Sequence, residues 1–255
     1  MRQRVGCQPG AIGAGNQRVV ISALLQCVEP AALQDQVRLL LETYPVAAIK
    51  TGMLGSKQQV VAISEILDDC DLPLVVDPVM VASTGDSLQD AEAVAMYRSR
   101  LLPLATLITP NLEEARALLD PARSSPDDDG REAAEALARQ FGCAALVTGG
   151  HRPQEGQAVD WLHEGDEATP LSSPWIEIDS AHGTGCTLSA GITALLATGK
   201  ALREAVAGGR EFLNRSLRES YSWSTPGGQE LRALNQLPAE AYGAGSSKGL
   251  QSASE

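Results

Sequence analysis

The stretch "DSAHGTGCTLSAGITALLATG", residues 179–199, sets two glycines, a threonine and a cysteine at the mouth of an apolar repeat. Leu188, Gly191, Ile192, Leu195 and Leu196 recur at helical spacing and predict a helix that ends near Gly199. Gly183-Thr184-Gly185-Cys186 then forms its amino end. Backbone N–H groups and the positive end of the helix dipole meet there, ready for an anion such as phosphate. Glycines let the backbone approach that anion without an intervening Cβ. The same field favours the thiolate of Cys186. The plainer alternative is a tight turn in which Cys186 is a small packing residue. A lone G-x-G does not choose between them.

Further polar residues stand at the ends of short apolar runs. Asp77 closes "LVVD", Asn111 and Glu114 lie in "TPNLEEA", and Thr148 precedes two glycines in "ALVTGGH". A carboxylate at a strand end also commonly caps a helix or joins a salt bridge, and "TPNLEEA" equally spells an ordinary helix start. Met53 in "KTGML" and Val79 in "DPVM" would make a soft apolar wall, or simply be core. Lys50 sits near the same rim without an assigned role.

The elements that must position these residues follow from the patterning. "VVISALL" (19–25), "VAAI" (46–49), "PLVVD" (73–77), "ATLIT" (105–109) and "AALVT" (144–148) read as buried strands. Helical segments lie between them. In "PAALQDQVRLLLE", Leu33, Val37, Leu40 and Leu41 share a face behind Pro30, and "REAAEALARQFG" stops at Gly142. "PARSSPDDDG" (121–130) is a loop by composition, and "LHEGDEATPLSSPWIEI" is a hairpin flap or a loop. Repeated β-α-β units imply an α/β fold with a mostly parallel sheet and helices on both faces. Such sheets bind ligands beyond the carboxyl ends of their strands, where these polar residues gather.

Composition narrows the class. At 255 residues the chain suits one large domain. The net charge of −12 argues against a nucleic-acid partner, and no eighteen-residue apolar run predicts a membrane span. The five cysteines, Cys7, Cys27, Cys70, Cys143 and Cys186, are scattered without C-x-x-C, so neither a disulfide framework nor a zinc site is expected, and a reducing cytoplasm is the default.

Five motifs occur in order: "AAIKTGMLGS", "LVVDPVMVASTGDSL", "LITPNLEEARALL", "ALVTGGH" and "DSAHGTGCTLSAG". Together, over residues 19 to 220, they closely resemble the hydroxymethylpyrimidine and phosphomethylpyrimidine kinases of thiamin biosynthesis, in the ribokinase-like superfamily. The resemblance implies a ribokinase-like three-layer fold and ATP-dependent phosphorylation of 4-amino-5-hydroxymethyl-2-methylpyrimidine and its monophosphate. It implies a phosphate turn at Gly183, Thr184, Gly185 and Cys186, with Cys186 accepting the substrate proton. It implies that Asn111 and Glu114 position magnesium and phosphate, with Asp77 a second acidic group there and Met53 and Val79 lining the pyrimidine pocket. Mg2+ and ATP are the expected cofactors and a homodimer the expected assembly. A pyridoxal or pyridoxine kinase and a catalytically impaired ligand-binding homologue are the alternative readings.

Two departures stand out. Family members usually carry lysine where this chain has Thr148, which predicts weaker ATP binding or a slower rate. The family also opens with a strand, a glycine-rich loop, a helix and a second strand bearing a pyrimidine-contacting glutamine. Here "MRQRVGCQPGAIGAGNQRVV" offers only "GAG" at 13–15 and Gln17, and Gln26 takes no substrate role. The amino-terminal strand or strands are therefore expected to be missing or divergent, through a truncated or shifted start or through a divergent working pocket. The expected organisation is an atypical segment at 1–18, a kinase domain at 19–225 and a partly disordered tail at 226–255.

Overall fold

The computed structural model describes residues 27–80, 91–119, 130–149, 155–177, 183–224 and 230–237. The strand expected at 19–25, the opening segment 1–18, Gln17, Gln26, His182 and most of the loop at 121–130 lie outside the described residues.

Helix α1 (Pro30–Thr43) begins on its proline and leads to β1 (Ile49–Thr51), α2 (Lys57–Leu67) and β2 (Leu74–Val76). Helix α3 (Ala91–Met96) runs on through a π turn and a 3-10 turn to Leu104, before β3 (Leu107–Ile108). Next come α4 (Leu112–Leu118), α5 (Arg131–Phe141) and β4 (Ala144–Val147). The hairpin β5 (Gln157–Glu164) and β6 (Glu167–Pro174) precedes α6 (Thr184–Leu196) and α7 (Leu202–Arg218).

These strands form one sheet in the order β1-β2-β3-β4-β5-β6. β1 to β4 are parallel, and β5 and β6 add antiparallel strands at the β4 side. Alternation within the strands explains the layers, because successive side chains point to opposite faces. Val76, Ile108, Ala145 and Val147 pack into a core with α2, α4 and α5. Val75, Leu107, Ala144 and Leu146 pack on the other side against Leu188, Ile192 and Leu196 of α6 and Ala205 and Val206 of α7. Each fully buried leucine or isoleucine contributes about 1.5–3 kcal/mol. Both faces are covered, and the mostly parallel α/β sheet follows.

One local reading changes and two are refined. The strand expected at 46–49 forms at Ile49–Thr51, because the ladder starts where the Ile49 N–H donates to Pro73 O. The apolar stripe of α1 is buried at Leu33, whereas Leu40 is 39% exposed; Leu40 and Leu41 line a cavity between α1 and β1. The segment read as hairpin or loop is an eight-residue-per-strand hairpin that begins earlier, at Gln157.

A second small hairpin pairs β7 (Tyr221–Ser224), at the end of the segment drawn as the kinase domain, with β8 (Glu230–Ala233), inside the segment drawn as the carboxy-terminal tail. The Asn235 N–H ties it to Ser216 O of α7. Among the described residues Cys70, Cys143 and Cys186 are free thiols, and burial pushes the Cys143 thiol up to about 12. Among the described residues no helix is long and apolar enough to cross a membrane.

Candidate active site

Backbone bonds carry the parallel ladder past the strand ends and build the rim. The Asp77 N–H donates to Thr51 O, Thr109 to Val76 O and Thr148 to Pro110 O, each at 3.0 Å. Thr148 forms an isolated parallel bridge with Asn111. Asp77, Asn111 and Thr148 thereby stand at the ends of neighbouring strands. The hydroxyls of Thr51 and Thr109, at the ends of β1 and β3, are buried without a hydrogen-bond partner among the described residues.

Helix α6 meets this rim through a residue the sequence reading missed. Ser189 is fully buried, and its hydroxyl donates to Asp77 Oδ2 at 2.8 Å. Gly185 O and Cys186 O are further acceptors at 2.9 and 3.3 Å for the same single proton. Lys50 Nζ lies 3.5 Å from Asp77 Oδ2. A carboxylate that is only 4% exposed needs such partners, because burying an unpaired charge is costly. Lys50 was legible as a cation just after an apolar run. Ser189 was legible only as a polar residue within an apolar repeat.

Glu114 shows the plainer reading of "TPNLEEA", a helix start. Asn111 Oδ1 accepts the Glu114 N–H at 2.8 Å and Glu114 Oε2 accepts the Asn111 N–H at 2.9 Å, a reciprocal capping box on α4. Oε1 accepts the Met80 N–H at 3.3 Å. Burial pushes the Glu114 carboxyl up to about 7; the nearby Asp77 charge adds to this, and the Asn111 and Met80 amides oppose it.

The mouth of α6 is open. Gly183 takes φ of 86°, a conformation costly for residues with a Cβ, and no side chain among the described residues caps the helix. At Gly185 a Cβ would meet nothing within 4 Å among the described residues, so their packing does not demand glycine there, whereas close approach of a ligand would. Cys186 keeps an exposed surface, yet enough protein surrounds its thiol for desolvation to dominate. Desolvation and the negative charge of Asp77 push the thiol above its ordinary value, against the pull of Lys50. This direction is opposite to the one expected from the helix field, because burial and the charges of Asp77 and Glu114 both disfavour the thiolate.

Met53 is half-buried and lines a cavity of about 310 Å3 with Lys50, Thr51, Leu54 and Gln59. Val79 is half-buried beyond Asp77, its N–H turned back to Asp77 O, and is not among that cavity's lining residues. A hollow of about 670 Å3 between α1, α2 and α3 holds none of the candidate residues. The candidate polar residues therefore gather at the rim and not in that hollow. Among the described residues no group of three His, Cys, Asp or Glu side chains forms a ready metal cage.

Open amide donors set against a buried carboxylate suit the transfer of a phosphoryl group, and on this sheet they define an α/β kinase. The profile of the phosphomethylpyrimidine kinase family matches residues 10–229, and the chain belongs to that family. The match takes in part of the opening segment set apart as atypical. The hydroxymethylpyrimidine/phosphomethylpyrimidine kinase of Streptomyces coelicolor is 38% identical over 211 residues, 83% of this chain and 77% of that protein. The chloroplastic thiamine biosynthetic bifunctional enzyme TH1 of Arabidopsis thaliana is 38% identical over 208 residues, 81% of this chain. The chain spans only 40% of that plant protein's length. The ADP complex of Bacillus subtilis pyridoxal kinase superposes with a TM-score of 0.69 at 32% identity, covering 77% of this chain and 73% of that one.

Proposed function

We propose that the protein transfers the γ-phosphoryl group of ATP to 4-amino-5-hydroxymethyl-2-methylpyrimidine and then to its monophosphate, in thiamin biosynthesis. The observation that carries the reading is the open Gly183–Cys186 turn facing Asp77 across Ser189. The similarity to the Streptomyces kinase supports the choice of acceptor. The cytoplasm and a homodimer complete the reading, on the same grounds as in the sequence.

Phosphoryl transfer needs positioning and charge stabilisation more than covalent help. The first-turn amides of Thr184, Gly185 and Cys186 hold the phosphate oxygens and stabilise the charge that spreads over them. Mg2+ supplies charge neutralisation on the phosphates when bound. Asp77 and Glu114 are the residues that would hold it, with water and phosphate oxygens completing the shell, as hard Mg2+ favours. Asn111 keeps Glu114 in place through the capping box. Cys186 receives the hydroxymethyl proton on Sγ; a raised pKa makes its thiolate a stronger base, at the cost of a smaller ionised fraction. Met53 and Val79 supply the apolar wall for the ring.

Similarity to pyridoxal kinase at 32% identity favours a second reading, phosphorylation of a pyridoxal-type alcohol on the same site. Assays with ATP and each acceptor alone and in competition separate the two. Turnover of the pyrimidine alcohol is expected. Turnover of pyridoxal alone would remove the first reading, and nucleotide binding without transfer to either would show an impaired homologue.

A further inference from the structure

The end of β4 is held in an unusual way. The ladder of β4 with β5 pairs Val147 with Trp161, and the Gly149 N–H, beyond it, donates to the Asp160 side chain at 3.0 Å. A Cβ at Gly149 would come within 2.1 Å of Val159 O, so the two backbones approach as only glycine allows. Asp160 is 7% exposed. Its other oxygen accepts Arg210 Nε at 2.8 Å, from α7, and Arg210 Nη2 donates to Leu171 O of β6 at 2.6 Å. One buried ion pair thus clamps the corner after β4 to β5, β6 and α7.

A strand end needs no buried charge merely to stop. Breaking such a pair leaves a stranded ion, and an apolar pair of similar volume would hold these layers at least as well. What the carboxylate adds is a directional acceptor for one amide, that of Gly149. The other side of the same corner is Thr148, bridged to Asn111 at the rim.

We propose that Asp160, locked by Arg210, is a positioning residue for the nucleotide, fixing the Thr148–Gly149 corner against Asn111 so that the Thr148 hydroxyl meets the donor's phosphates in one geometry. The proposal rests on the ATP-dependent reading above. It assigns Asp160 and Arg210 to donor affinity and leaves the acceptor alone. Neither residue touches the reacting atoms.

The test measures ADP binding by calorimetry and the KM of ATP and of the pyrimidine alcohol separately, for the full chain and for Asp160→Asn and Arg210→Lys. Asp160→Asn is expected to weaken ADP and raise the ATP KM about tenfold, the loss of one charge-assisted hydrogen bond. The acceptor KM and kcat should stay within about twofold, as for lost ground-state binding of one substrate. Hydrogen exchange at the Gly149 amide should quicken in the same variant. Arg210→Lys keeps the charge but not the fork and should shift ADP in the same direction by less; it also serves if Asp160→Asn does not fold. Unchanged ADP affinity in a folded variant overturns the proposal, as does a parallel rise in both KM values without faster exchange at Gly149. Failure of the unaltered protein to bind ADP is a separate result, and it overturns the nucleotide reading itself.

Discussion

Ser189 and Asp77 are 112 residues apart in the chain, yet the Ser189 hydroxyl lies 2.8 Å from Asp77 Oδ2 with both residues buried. This bond joins the helix that presents the phosphate turn to the strand that presents the carboxylate. The turn and the acidic rim are therefore linked directly. Ser189→Ala should destabilise the fold by about 1.5–3 kcal/mol, as expected for a hydrogen bond to a charged acceptor. It should also raise the Mg2+ concentration needed for half-maximal activity. Thermal melting and a Mg2+ titration read the two effects, and an unaltered Mg2+ requirement would detach Ser189 from the chemistry.

Gly185→Ala separates function from folding. The added methyl meets no atom of the described residues within 4 Å, so melting should hold or rise. The expected gain is about 0.4–1 kcal/mol, from lost freedom in the unfolded chain. Nucleotide binding should nevertheless fall, since that methyl occupies the approach to the first-turn amides. Equal ADP affinity in the variant would sink the phosphate assignment.

The Cys186 thiol should titrate above its ordinary value of 9.0 in ligand-free protein. The rate of alkylation by iodoacetamide against pH measures this. Asp77→Asn should lower the midpoint by removing a negative charge, and Lys50→Met should raise it. A midpoint below the ordinary value would restore the helix field as the dominant influence.

Stability should depend on Glu114 between its ordinary 4.5 and about 7. In that window the folded protein keeps a proton that the unfolded chain has released, so stability falls as pH rises and levels off above it. The group can account for up to about 3 kcal/mol of that fall. Chemical denaturation across the window should show the slope, and Glu114→Gln, which keeps one acceptor for the Asn111 amide, should flatten it.

Thr148→Lys should strengthen ATP binding by returning a positive charge beside Asn111. Steady-state kinetics with varied ATP tests it. A variant with neither tighter ATP nor faster turnover would mean that the corner has adapted to a neutral residue.

Much of this arrangement was legible in one dimension. Local apolar runs located β2, β3 and β4; the spacing of Leu188, Ile192 and Leu196 located α6; and Gly142 and Gly199 marked real ends, both with left-handed φ. These signals are local because strand pleat and helix pitch are local. Asp77 and Glu114 were legible as acids at element ends, but their states were not. Whether Glu114 caps, titrates or does both depends on Met80, Asn111 and Asp77 converging on it, and no window of sequence contains all of them.

By itself, then, the sequence determined the order of the layers, the glycine mouth of α6 and the residue types available at the rim, since backbone sterics and hydrophobic period act over a few residues. The partners were decided by the tertiary structure alone: Lys50 and Ser189 on Asp77, and Asp160 between Gly149 and Arg210. Buried charges take their protonation and direction from whatever groups folding brings within a few ångströms, and those groups arrive from elements far apart in the chain.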